Sequence, residues 1–206
     1  AKHITTSNQQ DGIHKALEYF GVLASEKVFV SRDYHFNKVK TFHHMMDERT
    51  QEEPRAWDLE GATHRAGFKI EELVEFVRAA SPSEEDFGQA LSQLHQALDK
   101  AADKVAKKTP AQQDLIGQVD ALIDTLYFTY GSFVLMGVDP ERIFDIVHEA
   151  NMGKVFPDGK AHFDPITHKI LKPDDWEEKY APEPAIKKEL QRQLKAYERH
   201  KERNKQ

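Results

Sequence analysis

The chain has 206 residues, 39% of them hydrophobic, with 29 Lys+Arg against 35 Asp+Glu for a formal net charge of −6, and no cysteine. That length and apolar content suit one main core with appended arms. The missing cysteines exclude a disulfide framework, a thiol nucleophile, Cys-ligated zinc and iron–sulfur clusters, so any metal must be held by O or N ligands. The acidic balance argues against a bulk electrostatic grip on nucleic acid. No run of about 18 apolar residues is present to span a membrane, and residues 1–12 are polar and lack the apolar segment of a secretory signal. The expectation is a cytoplasmic protein with neither a nucleic-acid nor a membrane partner.

Residues 1–35 read as an arm. Within it, Ile13, Ala16, Leu17 and Phe20 form a short helical pattern ending at Gly21, and residues 27–30 read as extended. Phe36, Val39, Phe42, Met45 and Met46 recur at helical spacing and predict a first helix over 36–48. A second helix is predicted over 62–80 from Phe68, Ile70, Leu73, Val74, Phe76 and Val77, stopped by Ser81-Pro82. Ser83, followed by Glu84, Glu85 and Asp86, has the character of an N-cap with an acidic first turn, opening a third helix through Leu91, Leu94, Leu98 and Val105 to about 108. Thr109-Pro110 then reads as a cap with proline at the first helical position. The helix it opens runs through Leu115, Ile116, Val119, Leu122, Ile123, Leu126, Tyr127, Phe128, Phe133 and Met136; as the longest apolar segment it is expected to be the most buried. Gly137 closes it, Asp139-Pro140 opens a fifth helix containing Ile143, Phe144, Ile146 and Val147, and Gly153 ends that one.

Beyond Gly153 the pattern changes. The stretch to residue 182 mixes Pro, Gly and Lys with apolar anchors (Val155, Phe156, Phe163, Ile170, Leu171, Trp176), too aperiodic for a helix and too apolar for disorder. It reads as an ordered, functional loop. A charged helix with a thin stripe of Ile186, Leu190 and Leu194 completes the chain. With hardly any strand signal, the fold class is all-α: an arm over 1–35, a helical domain with a four-helix core over 36–156, an ordered loop over 157–182 and a C-terminal helix over 183–206.

Two sets of acids stand out. Glu71, Glu72 and Glu75, at i, i+1 and i+4 of the second helix, share one arc of roughly 100°, while Leu73, Val74 and Val77 point elsewhere. On the fourth helix Asp120 and Asp124 are i, i+4 neighbours in an apolar setting, so they are expected to be buried or to line a cavity, and buried carboxylates must be compensated. A hard cation such as Mg²⁺ would do so. A salt-bridged network using Arg65 and Lys69 is the other reading, as is a merely solvated face for the Glu set.

These residues resemble the all-α nucleotide pyrophosphohydrolase superfamily, which contains MazG, dimeric dUTPases and phosphoribosyl-ATP pyrophosphohydrolase. Its pattern is E-E-x-x-E on one helix and E-x-x-D on a later one. Glu71, Glu72 and Glu75 match the first in full. In the second, Asp124 matches, but Ala121 stands three before it and Asp120 is the nearest acid. Tyr127 to Gly131, Gly137-Val-Asp139, the run from His148 through Asn151 to Lys154, and Pro157-Asp-Gly-Lys160 extend the likeness to the MazG-like, phosphoribosyl-ATP pyrophosphohydrolase-like branch, over roughly residues 38–173.

The resemblance implies a dimeric MazG-like bundle and a Mg²⁺-dependent nucleoside triphosphate pyrophosphohydrolase, with Mn²⁺ as a substitute metal, releasing a nucleoside monophosphate and pyrophosphate to keep nucleotide pools clean. It implies metal binding by Glu71, Glu72, Glu75 and Asp124, with Asp120 in place of the usual Glu, and a catalytic role for Glu72 and Glu75. Asn151 and Lys154 match its N-x-x-K substrate positions, and Lys169 is a further substrate-contacting candidate. It also implies a homodimer, with a tetramer as the larger alternative, and a site shared between subunits. The departure at Ala121 keeps a non-catalytic nucleotide-binding or protein-interaction module with a degenerate metal site as the alternative. The phosphate-loop, nucleophile-elbow, zinc-protease and dinucleotide fingerprints are all missing, and a di-iron bundle would need two Glu-x-x-His pairs where only Asp145-x-x-His148 is present.

Overall fold

The computed structural model of the chain describes residues 31–47, 50–51, 53–109, 114–165 and 169–204. The short helix and extended stretch expected within residues 13–30 lie outside them. The described residues hold seven helices and, beyond these, one isolated antiparallel bridge between Phe163 and Ile170. No helix among them is long and apolar enough to cross a membrane. They divide into two compact units, one from the described parts of Ala1–Thr50 and Met136–Gln206, the other from Gln51–Leu135.

The second unit contains α2 (Leu59–Ala80), α3 (Glu84–Val105) and α4 (Leu115–Met136). α2 starts three residues before the predicted position because Asp58 is its N-cap, its carboxylate accepting from the Gly61 N–H at 2.7 Å. Ser83 caps α3 as expected, accepting from the Asp86 N–H at 3.1 Å; such a cap contributes about 1 kcal/mol. α2 and α3 form an antiparallel hairpin across Ser81-Pro82-Ser83. Arg78 fastens the turn by pairing with Glu84 and lying over the Phe87 ring, 5.0 Å from its centroid.

α4 corrects two expectations. Its described start is Leu115, where Asp114 accepts from the Gly117 N–H at 2.9 Å, so Asp114 rather than Thr109 supplies the cap of the described helix. Residues 110–113 lie outside the description. Nor is α4 the most buried helix: none of its residues is buried, and Leu126 and Tyr127 are 47% and 75% exposed. Within its unit the helix pairing is between α2 and α3. An apolar sequence records that a surface avoids water, not that the same chain supplies the cover.

What ties α4 to the start of α2 is a two-way backbone clasp. The Gln118 amide accepts from the Trp57 N–H at 2.9 Å and donates to the Trp57 carbonyl at 3.0 Å. The Trp57 ring lies directly on Gly61, where a Cβ would fall 2.5 Å from the ring, so only glycine admits this approach.

The first unit contains α1 (Tyr34–Met46), α5 (Glu141–Met152), α6 (Trp176–Tyr180) and α7 (Glu183–Arg203), with α1 and α7 both packed on α5. Asp33 caps α1 through the Phe36 N–H at 3.0 Å. Tyr34 and Lys38 of α1 reach Asp145 of α5, the hydroxyl donating to its carboxylate at 3.1 Å and the ammonium 3.2 Å from the other oxygen. α7 is fastened at the entrance of α5 by a second clasp. There the Gln193 amide accepts from the Asp139 N–H at 3.0 Å and donates to the Asp139 carbonyl at 2.9 Å.

Gln193 is in turn held by Glu189, only 8% exposed, whose carboxylate also takes two bonds of 2.7 Å from Arg192. The Arg192 bonds first, and then that from Gln193, lower the Glu189 pKa from 4.5 to about 2. A carboxyl with a depressed folded-state pKa contributes stability that is complete above 4.5 and is lost as pH falls towards 2. Acid melts should therefore show the first unit weakening across that window, and Glu189→Gln should flatten the dependence. An unchanged acid limb in the variant would discard this role for Glu189.

Candidate functional site

α2 and α4 carry the acids. Glu71, Glu72 and Glu75 are all exposed, while Val74 and Val77 on another face of α2 are half-buried. Leu73 and Phe76, expected to be covered, are each 55% exposed and border the acid arc. Lys69 is turned back on its own helix, donating to the Arg65 carbonyl at 3.1 Å, and Arg65 lies over the Phe68 ring. Burial, and then the neighbouring Arg65, lower the Lys69 pKa.

Asp120 and Asp124 are exposed, which corrects the expectation that they are buried or line a cavity. The apolar surroundings read from sequence are there, but they face solvent: Ile123, Tyr127 and Phe128 are all well exposed. Among the described residues no three His, Asp or Glu side chains gather closely enough to hold a metal ion. The donor set is nonetheless of the right chemistry for a hard divalent cation: five carboxylates with no sulfur among them.

The candidate substrate residues belong to the other unit. Asn151 lies in the last turn of α5, and Lys154, one turn on, donates to its side-chain oxygen at 2.8 Å, so these two are brought together. Lys169 is exposed and its carbonyl accepts from the Asp164 N–H at 2.9 Å, beside the Phe163–Ile170 bridge. His148, one turn before Asn151, is half-buried, and burial and then Lys38 push its pKa down.

The loop expected after α5 is ordered by Trp176, which is 6% exposed and donates from its indole N–H to the Ala150 carbonyl at 2.8 Å. Lys172 caps the indole at 3.9 Å from the ring centroid and pairs with Glu177 at 3.1 Å. Ahead of it, a tight turn holds Gly159 at φ 77°, a left-handed backbone conformation that favours glycine. The Gly159 N–H bonds back to the Phe156 carbonyl at 2.8 Å, and His162 stacks on Phe156 at 4.0 Å while pairing with Asp158 at 2.8 Å. Sequence reasoning singled out Trp176 only as an apolar anchor; the five-residue α6 that begins with it is too short to show a period.

The phosphoribosyl-ATP pyrophosphohydrolase family matches residues 39–151, a span that contains both acid sets and Asn151. Among solved structures the chain is similar to a protein from Exiguobacterium sp. 255-15 proposed to be an NTP pyrophosphohydrolase. The two share 37% identity at a TM-score of 0.73, over 81% of this chain and 99% of that one. No curated protein matches the chain. With more than half of the chain inside the family match and an all-helical architecture in agreement with it, the chain belongs to the phosphoribosyl-ATP pyrophosphohydrolase family and is a hydrolase acting on phosphoanhydride bonds.

Proposed function

We propose that the protein is a Mg²⁺-dependent nucleoside triphosphate pyrophosphohydrolase of the cytoplasm that guards the nucleotide pool. The observation that carries this reading is the pairing of two exposed carboxylate sets, on α2 and α4, within the span matched by the family. Glu71, Glu72, Glu75, Asp120 and Asp124 would hold the metal, Mg²⁺ or Mn²⁺ in its place. When bound, the ion supplies charge neutralisation at phosphate oxygens and a more acidic water. Of Glu72 and Glu75, the carboxylate not fully used in holding the ion would serve as the base that takes a proton from that water. Asn151, with its side-chain oxygen engaged by Lys154, presents its amide NH₂ to a base or sugar acceptor, while Lys154 and Lys169 answer phosphate charge.

The working form is a homodimer with a site shared between subunits, a tetramer being the larger alternative. Support comes from α4, where Leu122, Ile123, Leu126 and Phe128 are exposed together, and from Leu73 and Phe76 of α2. Burying these side chains against a second copy gains about 25 cal/mol per Å² of apolar surface removed from water. A panel of dNTPs, including dUTP and modified bases, incubated with Mg²⁺ should release pyrophosphate and not orthophosphate. Inactivity on every nucleotide would remove the reading.

A further inference from the structure

The segment after α5 lies beyond the family match, yet it supplies the buried Trp176. Trp176 and Ala150 are two of the three buried hydrophobic residues among those described, and the indole N–H bonds the Ala150 carbonyl at 2.8 Å. The next residue is Asn151. From the same short helix, the Tyr180 ring lies on Gly153, where even a Cβ would overlap it. Between these two aromatic contacts runs the Asn151-to-Lys154 turn, closed by the Lys154 N–H on the Asn151 carbonyl at 3.1 Å and by the side-chain bond between the same residues.

A helix C-terminus normally frays, because its last carbonyls lack intrahelical partners. Here one of them is taken by a buried indole, and the following glycine is covered by a ring. We infer that Trp176 and Tyr180 are positioning residues that hold the Asn151–Lys154 pair in its nucleotide-binding geometry, making the C-terminal segment part of the substrate site. The inference rests on the nucleotide-binding role given above to Asn151 and Lys154. It predicts an effect on affinity for the nucleotide and not on the chemistry supplied by α2 and α4.

The test is Trp176→Phe, which keeps a ring in the cavity and removes the bond to Ala150, together with Tyr180→Ala. In the full chain, KM for the best dNTP of the panel should rise about tenfold in Trp176→Phe, with kcat within about twofold and the Mg²⁺ dependence unchanged. Affinity for the α,β-imido analogue of that dNTP, measured calorimetrically without turnover, should fall by the same factor. Adding Asn151→Ala to Trp176→Phe should weaken binding no further than Asn151→Ala alone, since both act through one contact. Additive losses, or an analogue bound equally by wild type and both aromatic variants, overturn the inference while leaving wild-type activity intact. A wild type that neither binds nor hydrolyses any triphosphate overturns the functional reading and this inference together.

Discussion

Glu75→Gln and Asp124→Asn should each reduce pyrophosphate release by at least about 100-fold while the protein stays folded. Both substitutions replace a charged oxygen by a neutral amide of the same shape, which weakens the grip on a hard cation without altering packing. Both residues are exposed, so neither loss leaves an uncompensated buried group, and stability should change by no more than about 0.5 kcal/mol. The pair matters because it spans the two helices: if Glu75→Gln is inactive and Asp124→Asn is not, Asp124 belongs to no metal site. Activity that survives both substitutions would sink the site altogether. Asp120→Asn, run alongside, decides whether the acid four residues before Asp124 serves in place of the absent Glu.

Leu126→Glu should convert a dimer into a monomer and abolish activity in the same step. The residue sits midway along α4, is 47% exposed in the single chain, and is flanked by the similarly exposed Leu122, Ile123 and Phe128. Within an interface, a carboxylate without a partner costs several kcal/mol per subunit, on the order of 100-fold or more in the dissociation constant. In the isolated chain the same carboxylate is solvated and costs little, so circular dichroism should show helix content retained. Light scattering gives the mass. A wild type that is a stable monomer at micromolar concentration, or a Leu126→Glu variant that remains a dimer, would defeat the assembly.

The periodic elements were readable because periodicity is a local property. The spacing of Phe68, Val74 and Val77 locates α2, Ser83 with its acidic first turn starts α3, and the i, i+1, i+4 acids fall on one exposed arc. The cover of α4 was not readable, since composition measures a preference for avoiding water and is silent on which molecule satisfies it. Its start was misread for a smaller reason: Thr109-Pro110 and Asp114 are both acceptable caps, and only the bond to Gly117 distinguishes them for the described helix. The remaining misses share a cause. Gln118 reaches Trp57 across 61 residues, Gln193 reaches Asp139 across 54, and Trp176 reaches Ala150 across 26; no window of sequence contains both partners. Glu189, on a helix whose sequence is mostly charged, is enclosed by Arg192 and Gln193 of the same helix.

The two glutamine clasps share a further property. In each, one side-chain amide satisfies both the N–H and the carbonyl of a single distant residue, so what is recognised is main chain and not a side chain. Evolutionary drift at the recognised residue is therefore invisible to the bond, as long as the residue keeps its N–H. The clasping residue has no such freedom, because only a primary amide offers a donor and an acceptor at that reach. Covariation between the partners should accordingly be weak at both sites despite direct contact. In sequences of this kind, an unremarkable glutamine on a helix can be the more constrained member of a pair whose other half varies.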